Sequence, residues 1–171
     1  ECVADKPISY YAFEMLYWTG LREGELLALT PADFNFEKKT LRVNKSYQRL
    51  EGKDVITDPK TPKSNRTIVM PDFLTIEMED FIKSIYGIKM DDRIFTISKS
   101  YLHHEMDRGA KLAGVKRIRI HGLRHSHISL LIDLGFSALA IGERVGHEAV
   151  DITYHYAHLF PTVQTDMAAQ L

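Results

Sequence analysis

The sequence predicts an α+β fold, mainly helical, with one small three-stranded antiparallel sheet inserted early. Two observations carry this. Apolar residues recur at helical spacing in several capped segments, and three short runs rich in Val, Ile and Thr lie between turn signals from Thr40 to Met70.

Taken in order, Pro7 to Trp18 is the first expected helix, with Pro7 suited to an opening turn. Thr19-Gly20 breaks it, and Arg22 to Leu29 resumes as a short helix closed by Thr30-Pro31. Thr40 to Gln48, Lys53 to Thr57 and Arg66 to Met70 are the expected strands. A Glu51-Gly52 turn and a Pro-, Ser- and Asn-containing connection join them. Helices are then expected over Pro71 to Tyr86, Ser100 to Ala113 and His121 to Leu134, stopped by Gly87, Gly114 and Gly135. Ser137 caps Ala138 to Val145, and further short helices follow from Asp151 and Pro161.

With 171 residues, 44% hydrophobic and 26% charged, the chain can bury one core rather than two, so residues 1–171 read as one domain. No apolar run approaches the ~20 residues of a membrane span. The lone Cys2 excludes an internal disulfide framework or a cysteine-based zinc site, and it fits a cytoplasmic location. The opening Glu1-Cys2-Val3-Ala4-Asp5 is neither a signal peptide nor a natural initiation, so an excised fragment is expected.

Net charge is −1, which by itself argues against a nucleic-acid partner. The distribution is more informative. Between Lys38 and Arg66, bases run almost unopposed, and between Arg108 and Arg124 no acid interrupts them. Such runs are ordinarily solvated surface. Here they flank the motifs that carry chemistry.

His121-Gly122-Leu123-Arg124 places an imidazole and a guanidinium on one helix face, a pairing that suits a phosphate. Alone, such a histidine is more often a satisfied surface or core residue. Thr19-Gly20-Leu21-Arg22 sets Arg22 at a helix start, where the positive end of the helix dipole disfavours it. An i,i+3 pair with Glu25 is the structural alternative. Gly146-His147 is followed by Tyr156 within Thr153-Tyr154-His155-Tyr156-Ala157-His158.

Together, these motifs resemble the tyrosine recombinases, the family of phage and transposon integrases. The resemblance rests on Thr19-Gly20-Leu21-Arg22-Glu23-Gly24-Glu25-Leu26, His121-x-x-Arg124-His125-Ser126, Gly146-His147 and Thr153-x-x-Tyr156-x-His158, in that order. It spans nearly the whole chain and implies the catalytic-domain fold of that family. The family also carries a lysine on a β-hairpin between the first arginine and the His-x-x-Arg box. Lys60, ahead of Ser64-Asn65-Arg66, resembles it, with Lys63 a competitor.

The resemblance implies site-specific recombination, with integration or excision of a mobile element. Its site residues are Arg22, Lys60, His121, Arg124, His147 and Tyr156. Tyr156 is the implied nucleophile, forming a 3′-phosphotyrosine and freeing a 5′-hydroxyl. Arg22 and Arg124, helped by His121 and His147, would clamp the non-bridging oxygens, a role worth roughly 100- to 1,000-fold per donor in typical enzymes. A phenol with a pKa near ~10 needs a proton acceptor, for which His121 is expected, and Lys60 is the expected general acid. No metal or other cofactor is implied. The implied partners are double-stranded DNA at recombination sites and other protomers in a synaptic complex, with no membrane. In the family a helical core-binding domain, often with an arm-type DNA-binding domain, ordinarily precedes this one, and neither is expected within these residues. The stretch after Tyr156, where Val163, Met167 and Leu171 recur four apart, is the expected docking segment between protomers, or else a stripe packed on its own domain.

Competing readings are weaker. A metal hydrolase lacks a His-Glu-x-x-His arrangement, and Arg124 beside His121 repels a cation. A non-catalytic DNA-binding domain explains the basic stretches but not the tyrosine, the lysine and both arginines in order. A type IB topoisomerase shares the chemistry but acts without synapsis. No Gly-rich phosphate loop supports nucleotide binding.

Overall fold

The computed structural model describes residues 2–59, 62–147, 149–156 and 159. Helix α1 (Pro7–Thr19) is followed by the short α2 (Glu23–Leu27) and a 3-10 turn at Pro31–Asp33. Five strands come next: β1 (Phe34–Asn35), β2 (Thr40–Val43), β3 (Ser46–Leu50), β4 (Lys53–Thr57) and β5 (Arg66–Val69). The remaining elements among the described residues are helices: α3 (Asp72–Ser84), α4 (Lys99–Ala113), α5 (Ile120–Asp133), α6 (Ala138–Val145) and α7 (Ala149–Tyr156). The α+β class is as expected. Among the described residues, no helix is long and apolar enough to cross a membrane.

The strands differ from the expected three in a way that has a physical cause. Thr40 to Gln48 is two strands in two sheets: β1-β2-β5 form one antiparallel sheet, and β3-β4 a separate antiparallel hairpin. Leu41 and Val43 face the core, so the alternation of a pleated strand would turn Lys45 inward next. A buried unpaired ammonium is costly. Lys45 instead reaches Asp33 at 2.6 Å, and the ladder to β5 ends at the Val43–Arg66 pair. The two-residue β1 is too short to register as a strand in the sequence.

Serine caps fix the starts of α4 and α6. Ser98 and Ser137 accept hydrogen bonds from the backbone N–H groups of Tyr101 and Ala140, at 3.0 and 3.3 Å. Two packed clusters result. One joins α1, α2, the three-stranded sheet and α3 through Met15, Leu26, Leu41, Ile68 and Met78, among others. The second is formed by α5, α6 and α7 through Ile128, Ile132, Ile141, Val145, Ile152 and Tyr156. The candidate site lies where these two clusters meet.

Candidate active site

Two glycines bring the cationic residues together. Gly20 ends α1 at φ +65°, and a Cβ there would stand 2.7 Å from Cδ2 of His127. Gly146 ends α6 at φ +72°, and its Cβ would stand 2.9 Å from the Lys63 carbonyl oxygen. Both positions demand a left-handed backbone and admit no side chain. The chain therefore turns tightly at both sites, delivering Arg22 and His147 to one place.

Arg22 is the N-cap residue of α2. Its guanidinium donates to Glu25 Oε1 at 2.8 Å and to the Gly146 carbonyl at 3.3 Å, which is the i,i+3 pair open from the sequence. Glu25 also accepts from the Arg22 backbone N–H at 2.8 Å and from both terminal nitrogens of Arg66. Burial pushes the Glu25 carboxyl up, but hydrogen bonds and charge from Arg66, with Arg22 behind it, outweigh this and hold it below its ordinary value. A buried acid thus orients the positive end of α2, resolving the unfavourable placement of Arg22 against the helix dipole.

Arg124 is 1% exposed. It donates through Nη1 to the Gly20 carbonyl and through Nη2 to the Val145 carbonyl at 2.5 Å. Its Nε has no hydrogen-bond partner, and among the described residues it forms no ion pair. Burial and the neighbouring Arg22 lower its pKa to about 9, so it stays cationic at neutral pH. A buried cation tied only to carbonyls leaves the site with positive potential and a deficit of anionic partners.

His121 and His147 line a cleft of about 1180 Å³ together with Arg22, Lys63 and the strand residues Ser46 to Leu50. Burial, then Arg124 and Arg22, lower the His147 pKa to about 4. The His121 pKa is also lowered, by burial first and then by His125, Arg124 and Arg22. Both imidazoles are neutral at pH 7 and each keeps one N–H to donate.

Tyr156, in α7, is 8% exposed, whereas Tyr154 is 82% exposed. Burial raises the Tyr156 pKa, and Arg124 opposes that rise. Its hydroxyl is hydrogen-bonded to Nδ1 of His125. No hydrogen bond joins it to His121, the acceptor expected from the sequence. His121 instead stands edge-on to His125, ring centroids 4.7 Å apart. Lys60 and His158 lie outside the described residues, as does the stretch from Phe160 to Leu171; Lys63 is described and borders the cleft.

The sequence reading missed several residues that shape the site. Arg66 donates to Glu25, to the Ser64 carbonyl at 3.2 Å and to the Arg144 carbonyl at 2.9 Å. Arg144 donates to the Val69 and Trp18 carbonyls and to Nε2 of the buried His127 at 3.1 Å. Arg66 follows Ser64-Asn65 in a motif already singled out, and an arginine opening a half-buried strand was the available signal. Among the described residues, no cluster of three His, Cys, Asp or Glu side chains is arranged to hold a metal ion.

The phage integrase family model matches residues 3–162, and the chain belongs to that family. The ICEBs1 integrase of Bacillus subtilis is 33% identical, the match covering 93% of this chain and 47% of that protein. A XerC-like tyrosine recombinase of Caldanaerobacter subterraneus is 29% identical, over 93% of this chain and 48% of its own. The chain spans about half the length of the curated relatives it matches. Among solved structures, the Tn1549 transposon integrase in complex with a circular intermediate DNA superposes with a TM-score of 0.77. It is 22% identical, over 94% of this chain and 56% of that one. The XerA recombinase superposes at 0.72 with 20% identity, over 99% and 60%. Both share the fold.

Proposed function

We propose that residues 1–171 form the catalytic domain of a tyrosine-type site-specific recombinase. It cuts and rejoins DNA through a 3′-phosphotyrosine and so integrates or excises a mobile element. One observation carries this reading: a buried tyrosine, Tyr156, is hydrogen-bonded to the helix that also bears the buried cation Arg124, which pairs with no carboxylate among the described residues. A phenol and a guanidinium so placed fit a phosphodiester rather than a cationic or neutral substrate. The relatives, integrases and tyrosine recombinases by name, support the same reading.

In this scheme, the scissile phosphate enters the cleft with its non-bridging oxygens towards Arg22 and Arg124, and His121 and His147 donate to the same oxygens. The Tyr156 oxygen attacks phosphorus, and the charge that accumulates in the five-coordinate transition state meets donors that are already fixed. The P–O5′ bond breaks, and Lys60 protonates the departing 5′-oxygen. The phosphotyrosyl ester retains the bond energy, so a 5′-hydroxyl can reverse the step on a new partner strand without ATP. The guanidinium groups supply the charge that metal ions supply in two-metal nucleases, and no cofactor is called for. The partners are duplex DNA at recombination sites and further protomers in a synaptic complex, and the cytoplasm is the place of action.

The test is a suicide duplex built from the ends of the element that carries the gene, nicked so that the released fragment diffuses away. The protein at its full natural length should yield a covalent protein–DNA band that survives SDS. Tight binding with no such band would make the chain a non-catalytic DNA-binding module.

A further inference from the structure

The hydroxyl of Tyr156 meets a histidine that none of the recognised motif positions assigns to proton transfer. We propose that His125, rather than His121, is the catalytic proton acceptor for Tyr156; this rests on the recombinase reading above. Three observations converge on it. His125 Nδ1 is the hydrogen-bond partner of the Tyr156 hydroxyl. Its ring lies 5.8 Å from the Tyr156 ring, centroid to centroid. His121, one helical turn earlier, borders the cleft with Arg22 and His147 instead.

Protonation permits the same assignment. The groups facing His125 are His121 and Arg124 from its own helix, and Tyr156 and His155 from α7. Burial, then Arg124 and His155, push the His125 pKa below its ordinary value, so the ring is neutral at pH 7. With Tyr156 donating, Nδ1 accepts and the ring proton resides on Nε2. As the Tyr156 oxygen bonds to phosphorus, the phenolic proton passes to Nδ1, giving an imidazolium. The P–O5′ bond breaks, and the general acid protonates the 5′-oxygen. In rejoining, the imidazolium returns its proton to the departing phenolate oxygen. Buried Tyr156 has a raised pKa, so attack as the neutral phenol without an adjacent base is disfavoured.

The assignment is tested in the protein at its full natural length by replacing Tyr156 with a ring-fluorinated tyrosine, whose phenol ionises far more readily. An acidified nucleophile needs no base. His125→Ala should slow adduct formation by about 100-fold or more with ordinary tyrosine, as expected for a lost general base. Fluorination should return it to within about tenfold of the fluorinated protein with His125 intact. His121→Ala should also lose activity, but fluorination should leave its deficit unchanged. Duplex binding and thermal melting accompany each variant. If His125→Ala melts early, His125→Gln, which keeps a polar group but no basic nitrogen, carries the same comparison. Rescue confined to His121→Ala overturns the assignment, as does unimpaired cleavage by His125→Ala. Absence of any adduct from the unsubstituted protein removes the recombinase reading and the assignment with it.

Discussion

Arg66 closes a fork on Glu25, Nη1 to Oε1 at 3.0 Å and Nη2 to Oε2 at 2.9 Å, across 41 positions of sequence. The same carboxylate holds Arg22, so the first arginine of the site is set by the start of β5. Arg66 also grips the carbonyls of Ser64 and Arg144, tying the connection after Lys60 to the end of α6. The site is therefore braced by a buried ion-pair network behind the cleft.

That bracing leads to the first expectation. Arg66→Ala leaves the buried Glu25 carboxylate with Arg22 alone and removes donors from two carbonyls. Breaking such a pair from one side costs about 3–5 kcal/mol. Urea unfolding should show a loss of that order, and Arg66→Lys, which keeps the charge without the fork, should restore only part of it. A change below about 0.5 kcal/mol, the ordinary scale of surface substitutions, would show that the network does not brace the fold.

His127 predicts an acid limb of stability. It is 2% exposed, accepts from Arg144 through Nε2, and is neutral. Burial first, then Arg144 and Arg124, lower its pKa from 6.5 to about 4. A depressed folded value means that the unfolded chain binds the proton more readily. The stabilisation is therefore complete above pH 6.5 and is lost as pH falls towards 4. The difference amounts to about 3 kcal/mol. His127→Gln keeps an acceptor for Arg144 but cannot titrate, so its stability should fall less over this window. Parallel curves for the two proteins would show that another group governs the acid limb.

Lys60 is expected to protonate the leaving 5′-oxygen. A 5′-bridging sulfur needs no proton on departure, so Lys60→Ala should cripple cleavage of ordinary DNA yet cut the phosphorothiolate substrate at near the unsubstituted rate. Rescue of Lys63→Ala instead would transfer the role to the cleft-lining lysine.

Chelation separates the arginine clamp from metal-assisted hydrolysis. With Arg22 and Arg124 supplying the charge, cleavage in excess EDTA should run at close to its normal rate. Loss of cleavage restored by magnesium or zinc would favour a hydrolase.

Local chemistry was the legible part of this fold. Ser137, Gly20, Gly114 and Gly146 mark helix ends that depend on a few adjacent residues, and the Arg22–Glu25 pair follows from i,i+3 spacing. What stayed hidden depends on distant partners. The break in Thr40 to Gln48 arises because Lys45 is drawn to Asp33. The Arg66 fork requires β5 to pass beside α2. The choice of His125 over His121 at the tyrosine follows from how α5 crosses α7, since both histidines occupy the same helix one turn apart.

The central claim is that Tyr156, and not its exposed neighbour Tyr154, becomes joined to DNA. The direct measurement is proteolysis of the trapped adduct followed by mass spectrometry of the nucleotide-bearing peptide. The account predicts a 3′-phosphonucleotide on Tyr156, lost in Tyr156→Phe while duplex binding persists and Tyr154→Phe still forms the adduct. A nucleotide on Tyr154, or an adduct that survives Tyr156→Phe, would contradict it.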